Sequence, residues 1–325
     1  MAHEIDQTVS RQGSAMFAYE PAWHGLGTVV SEAQRSEDAL RIAGLDWEVA
    51  LTELQAVFAD GAVRPVPSHR ATFRTDTMAP LGAVGTRYTP FQNRDAFAWM
   101  DDVVGESLAI WHTAGSLRGG RTVWMLCKLP EVVEVSDRDL MDQYVLVTNH
   151  HDGLGSVRLF PTTVRVVCAN TLRLATSRGL DVGLKLRHTV GSLADRVRSA
   201  KECLGVIRNA QGEFITDARR MQAAGLDSAG VQDYFDGLAA TRPSEKAREK
   251  LVSSLWERFH LPTNEAGFGA NVWTAYNAAS EFADHSMRVI GSGEQRMERR
   301  FSSALFGAAH EFKDRAWRAA LELAC

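Results

Sequence analysis

Apolar and polar positions alternate along the first half of the chain and recur at three-four spacing along the second. "HRATFRT", residues 69–75, sets Ala71 and Phe73 on one side and Arg70, Thr72 and Arg74 on the other. That is the period of a half-buried antiparallel strand, with the arginines facing out. "PLGAVGTRY" reads as its partner. "AIWHTAGSLRGGRTVWMLCKLP" predicts a hairpin around Arg118-Gly119-Gly120-Arg121, because paired glycines supply the positive φ angles of a tight turn. "DQYVLVTN" and "SVRLFPTTVRVVC" add two more strands. Two short helices interrupt the series. "SEDALRIAGLDWEV" has Ser36 as N-cap, ends near Gly44 and leads through Trp47 into a strand, and "NRDAFAWMDDVVG" spaces Phe97, Met100, Val103 and Val104 helically.

From residue 190 the apolar positions run Val190, Leu193, Val197, Ala200, Leu204, Ile207, Phe214, Ala218 and Met221, broken at Gln211. One long helix follows from this spacing, weakened by Gly205 and Gly212, with a seam that packs on a partner helix, of the same chain in the first reading and of another subunit in the second. "SEKAREKLVSSLWERF" with Ser244 as N-cap, "NVWTAYNAASEFADHS" and the tail from Arg299 predict further helices. The fold class is therefore α+β: an antiparallel, hairpin-rich sheet with short helices over residues 1–188, then a mainly helical part over 189–325.

Composition adds little to this until charge is placed along the chain. With 45% apolar and 23% charged residues, 325 residues can bury a full core. No run resembles a membrane span or a signal peptide, so a cytoplasmic protein of a bacterial host is expected. Cys127, Cys168, Cys203 and Cys325 stand singly, which suggests neither a disulfide framework nor a cysteine zinc site. The net charge of −4 is unevenly spread: residues 1–60 hold ten acids against three bases, and residues 158–208 hold ten bases against three acids. The basic stretch suits a polyanion, or a solvated helix face.

"TNHHDGLGSVRLF", residues 148–160, is the densest polar motif. Consecutive strand residues point to opposite faces, so His150, His151 and Asp152 do not converge on one ion without a special loop. Asp152-Gly153 between apolar runs is a strong hairpin signal, and a turn is the favoured reading; a polar loop touching a ligand is the next. "WHGLG", residues 23–27, reads as a packed Trp23 with a glycine turn beside His24, and Asp101 with Asp102 as a solvated helix face. No catalytic, nucleotide, metal or cofactor motif is present, so no enzyme class and no cofactor are indicated.

"YEPAWHGLG", "YVLVTNHHDGLGSVRLFPTTVRVVCANTLRLA" and "NVWTAYNAASEFADHS" together resemble the phage/plasmid-like protein family, domain of unknown function 932. That resemblance implies a phage, prophage or plasmid origin. The strand order, with a helix opening after "VRVVCANT" and capped by Asn170, is also similar to the single-strand annealing recombinases of the RecT, Redβ and Erf types. What this second likeness implies is a ring or filament of identical subunits whose basic groove holds single-stranded DNA. Arg70, Arg74, Arg118, Arg121, Arg158, Arg165, Arg173 and Arg178 are the candidates for such a groove. The acidic N-terminal segment is expected to meet the basic stretch of a neighbour. The alternative is a phage protein-interaction or assembly factor without a nucleic-acid role, and a metal nuclease on His150 and Asp152 is a distant third.

Overall fold

The computed structural model describes residues 15–18, 28–30, 35–105, 110–154, 157–165, 170–173, 184–185, 193–291, 296, 299–300, 302–304 and 307–325. Strands β1 (Ala15–Ala18) and β2 (Thr28–Val30) precede helix α1 (Ser36–Ile42). The strands β3 (Val49–Val57), β4 (Val63–Arg74) and β5 (Pro80–Gly85) follow, then α2 (Asn93–Gly105). Next come β6 (Ile110–Leu117), β7 (Thr122–Ser136), β8 (Asp139–His150), β9 (Arg158–Arg165), β10 (Asn170–Arg173) and β11 (Leu184–Lys185). The rest is helical: α3 (Leu193–Ala223), α4 (Ser228–Ala239), α5 (Glu245–Phe259), α6 (Glu265–Phe268), α7 (Val272–Glu281), a π-helical turn (Phe282–Ser286) and α8 (Ala308–Leu323). The α+β class read from the alternation is the class observed.

Two sheets form. The larger runs β10-β9-β8-β7-β6-β1-β2, with β11 also on β9, and is antiparallel except for the parallel β1–β2 pair. The smaller is β3-β4-β5. One face of the larger sheet presents Val123, Met125, Cys127, Val145, Val147 and Leu159 to Leu40, Phe97, Leu204 and Ile207 of the helices, a single apolar cluster. A second cluster lies among the helices, where Phe214 stacks on Trp317 at 4.5 Å and Trp273 meets Trp317 edge-on. Helix α3 contributes to both clusters: Leu204 and Ile207 enter the first, and Phe214, Ala218 and Met221 the second. Gln211, the break in its apolar spacing, is buried between these groups and donates to the Tyr144 carbonyl at 3.4 Å. Trp273 Nε1 donates to Asp139 at 2.8 Å, which fastens the helical cluster to the β7–β8 turn.

Caps form where the cap partner is a near neighbour, at Ser244 as the sequence indicates and also at Asn271. Ser244 accepts from the Ala247 N–H at the start of α5, and Asn271 with Thr274 forms a reciprocal capping box on α7. Ser36 is a correction: Arg35 occupies the N-cap position of α1 and provides no side-chain bond. Its place is taken by Asp101 of α2, which accepts from the Ser36 N–H at 2.6 Å and its hydroxyl at 2.7 Å. Asp101 also accepts from Trp111 Nε1 at 3.0 Å, so it is a tether between elements and not part of a solvated face. A third correction concerns Asn170, which starts strand β10 against β9, with Arg173 in the same strand, rather than capping a helix. A hydrogen-bonding edge offered by β9 outweighs the capping preference of an isolated asparagine.

The expected orientation of β4 is inverted. Thr72 is fully buried and Arg74 is 6% exposed, while Ala71 and Phe73 are only half-buried. The reason is the larger sheet, whose turns dock on the Thr72 and Arg74 side.

Candidate nucleic-acid interface

Two glycine turns of the larger sheet lie side by side against the smaller one. In the β6–β7 turn Arg118, Gly119 and Gly120 take positive φ values of 57°, 73° and 89°. A Cβ on Gly120 would stand 2.9 Å from the Trp47 ring and 3.1 Å from Arg74 Cδ, so glycine is required for the contact as well as for the turn. In the β8–β9 turn Gly153 has φ 81°, and Asp152 accepts from the Leu154 N–H at 2.9 Å, an Asx turn. The motif at residues 148–160 therefore builds a hairpin. The turns are joined by the His151 N–H donating to the Arg121 carbonyl at 2.8 Å. Thr72 Oγ1 donates to the His151 carbonyl at 2.7 Å, and a Cβ on Gly82 would stand 2.5 Å from the Asp152 carbonyl oxygen, so β4 and β5 pack directly on the turn.

The two histidines of this turn do different work. His151 is fully buried beside Trp47, with ring centroids 5.5 Å apart. Asn93 donates through its Nδ2 to the Leu45 carbonyl, leaving Oδ1 as an acceptor 2.8 Å from His151 Nε2, so Nε2 carries the proton. Burial, and secondarily the neighbouring His150, push the His151 pKa down to about 3. It is a neutral structural histidine. His150 is half-buried, with Nδ1 3.2 Å from Thr122 Oγ1. Burial lowers its pKa first; Asp152 opposes the shift, and Arg158 and Arg118 add to it. Among the described residues no three His, Cys, Asp or Glu side chains are grouped to hold a metal ion.

Of the eight arginines expected to share a groove, the structure brings three to this rim. Arg118 and Arg121 are exposed on the first turn, and Arg158 opens β9 half-buried at the second. Tyr88, which the sequence reading did not single out, joins them: its hydroxyl lies 3.4 Å from the His150 carbonyl, and burial followed by the Asp152 charge raises its pKa. Its only sequence signal is an aromatic directly after the Gly85-Thr86-Arg87 turn. Arg70 on β4 and Arg87 beyond β5 are exposed on the adjoining sheet. Arg74 is removed from the set. Its guanidinium sits 4.4 Å over the Trp47 ring and grips both oxygens of Asp76, at 3.0 and 2.7 Å. For Arg165 and Arg173 the backbones lie on β9 and β10, and their side chains fall outside the described residues, as does all of Arg178. Trp23 to Gly27 with His24 also lie outside them.

Further along the larger sheet His112 meets Tyr144 edge-on at 5.2 Å, beside a Lys128–Asp142 ion pair of 2.8 Å. Burial, and then Lys128, push the His112 pKa down to about 4 against the pull of Asp142. No described helix is long and apolar enough to cross a membrane.

No curated protein and no solved structure matches the chain. The family model described as Domain of unknown function (DUF932) matches residues 80–305, a span from β5 through strands β6 to β11 of the larger sheet and the helices α3 to α7, with β1 to β4, α1 and α8 outside it. With well over half of its length inside that match, the chain belongs to the DUF932 family.

Proposed function

We propose that this protein of a phage or other mobile element binds single-stranded DNA and anneals it during recombination, acting as a homo-oligomer. The observation that carries the reading is the rim of Arg118, Arg121 and Arg158 with Tyr88 around His150. Guanidiniums neutralise phosphates, and an aromatic edge beside them offers a base a surface to rest on. Arg70 and Arg87 extend the positive surface onto the smaller sheet. The chemistry of annealing asks for no bond to be made or broken by the protein, which agrees with a site built of cations and a phenol.

The test is fluorescence anisotropy with labelled single- and double-stranded oligonucleotides between about 50 and about 200 mM salt. Preferential single-strand binding that weakens steeply with salt supports the proposal. No binding at about 50 mM salt overturns it. That outcome leaves the second reading, a protein-interaction or assembly factor, for which the β3–β4 hairpin speaks: its tip exposes Val57 by 75%, Val63 by 55% and Phe58 by 50%.

A further inference from the structure

The smaller sheet leaves the first part of β4 and the outer side of β3 open, and the sequence treats them differently. β4 pairs with β5 only from His69 to Phe73, and the stretch of β4 before that contains Pro65 and Pro67, which lack the N–H that another strand needs. β3, at the other edge, contains neither proline nor lysine, the residues that commonly guard an open strand. At Val49 the outward N–H and carbonyl are both taken by the Gln92 side chain, at 2.9 Å each, an amide standing in for a neighbouring strand. Alternation turns the N–H and carbonyl of Leu51 and Glu53 the same way, and among the described residues no backbone group or side chain takes them. The register shift between β3 and β4 falls on β4, where residues 66–69 stand opposite Leu54, so the outer edge of β3 runs unbroken.

We infer that this edge pairs with the same edge of a second copy of the chain, antiparallel about a twofold axis at Thr52. An axis at Glu53 would set two carboxylates directly opposite each other, which disfavours that register. An axis at Thr52 opposes Thr52 to Thr52, Leu51 to Glu53 and Ala50 to Leu54. Ladder bonds then form at Leu51 and Glu53 of both copies and stop where Gln92 already occupies Val49. The exposed backbone edge, and a self-complementary register that opposes Thr52 to Thr52 and keeps Glu53 away from its own copy, select a second copy of this chain as the occupant. This inference goes beyond the nucleic-acid proposal and is tested without DNA.

The experiment is light scattering on the full chain after size exclusion, over a range of concentrations. At least twice the 35.8 kDa chain mass is expected. Glu53→Pro removes the outward N–H without touching a β3–β4 bond, and its mass should fall while its circular dichroism and melting match the parent. Thr52→Cys is the second variant, in a Cys325→Ser background because Cys325 is exposed. Opposed Thr52 positions of a non-hydrogen-bonded pair suit a disulfide, so mild oxidation should give a covalent dimer. The inference is overturned if the parent has the mass of one chain throughout, or if a folded Glu53→Pro keeps the parent mass. It is equally overturned if Thr52→Cys with Cys325→Ser cross-links no more than Cys325→Ser alone.

Discussion

The Arg74 guanidinium lies 4.4 Å over the Trp47 ring, at the seam where the smaller sheet meets the β6–β7 turn. Asp76 completes the clamp. Burial acts to raise the Asp76 pKa, and the hydrogen bonds and charge of Arg74 outweigh it, holding the carboxyl below its ordinary value. Arg74→Ala therefore removes a cation–π contact and leaves a partly buried carboxylate and an opened gap. It should lower stability by about 2 kcal/mol in urea unfolding. The same variant should bind single-stranded DNA with an unchanged salt dependence, because this arginine faces protein.

Acid should destabilise the fold through its buried histidines. His151 and His112 have folded pKa values of about 3 and about 4, below the ordinary value of 6.5. Between those limits the unfolded chain binds protons that the folded chain does not, so stability is full above pH 6.5 and is lost as pH falls. Each histidine contributes a slope of about 1.4 kcal/mol per pH unit inside its window. Urea unfolding at a series of pH values from 7.5 downward gives that slope. His112→Phe should reduce it by about one histidine's share; an unchanged slope would show that His112 titrates normally.

Asp101 binds the first turn of α1 and the Trp111 indole from 65 residues further along the chain than Ser36. Asp101→Ala should cost about 2 to 3 kcal/mol, since a charge-assisted cap and a buried indole N–H lose their acceptor together. Asp101→Asn retains one carbonyl oxygen and should recover part of this. Equal losses in the two variants, measured by denaturant unfolding, would contradict the role of the charge.

This pair marks the limit of what could be read from the chain. Ser244 was legible as a cap because it bonds within one turn of itself. Asp101 was not, since the packing that turns α2 toward α1 is written in no local spacing. Strand period has a similar limit. It divides β4 into two faces without saying which is inside, so Arg74 was assigned to solvent although its burial follows from Trp47 and Gly120 arriving from elsewhere. The hairpins at Arg118–Arg121 and Asp152–Gly153 were legible through glycine, yet their side-by-side placement depends on the His151–Arg121 bond across strands. For the same reason Tyr88 carried no sequence signal as a member of the rim.

Lys313 and Asp284 form an ion pair of 2.6 Å with both side chains 2% exposed, between α8 and the π-helical turn. Desolvating two charges offsets much of their attraction, whereas removing one leaves the other buried without its ion partner. Lys313→Met should therefore cost about 3 to 5 kcal/mol. The double variant Lys313→Met with Asp284→Leu should be markedly more stable than the single one. A double variant no better than Lys313→Met would mean that Asp284 serves a separate structural need, a difference that thermal melting of both proteins resolves.

The rim arginines make the sharpest prediction for function, because phosphate contacts are counted by salt. Each guanidinium that neutralises a phosphate of single-stranded DNA adds about 0.7 to the slope of log affinity against log salt concentration. Arg118→Ala, Arg121→Ala and Arg158→Ala should each reduce that slope by about this amount and weaken binding uniformly across sequences. Tyr88→Leu should lower affinity, by about 1 to 3 kcal/mol if a base stacks there, with the slope unchanged, since it removes a surface and no charge. Arg74→Ala is the internal control, at the same edge of the molecule but turned into the protein. If Arg74→Ala lowers the slope and the three rim variants do not, DNA does not bind at the rim.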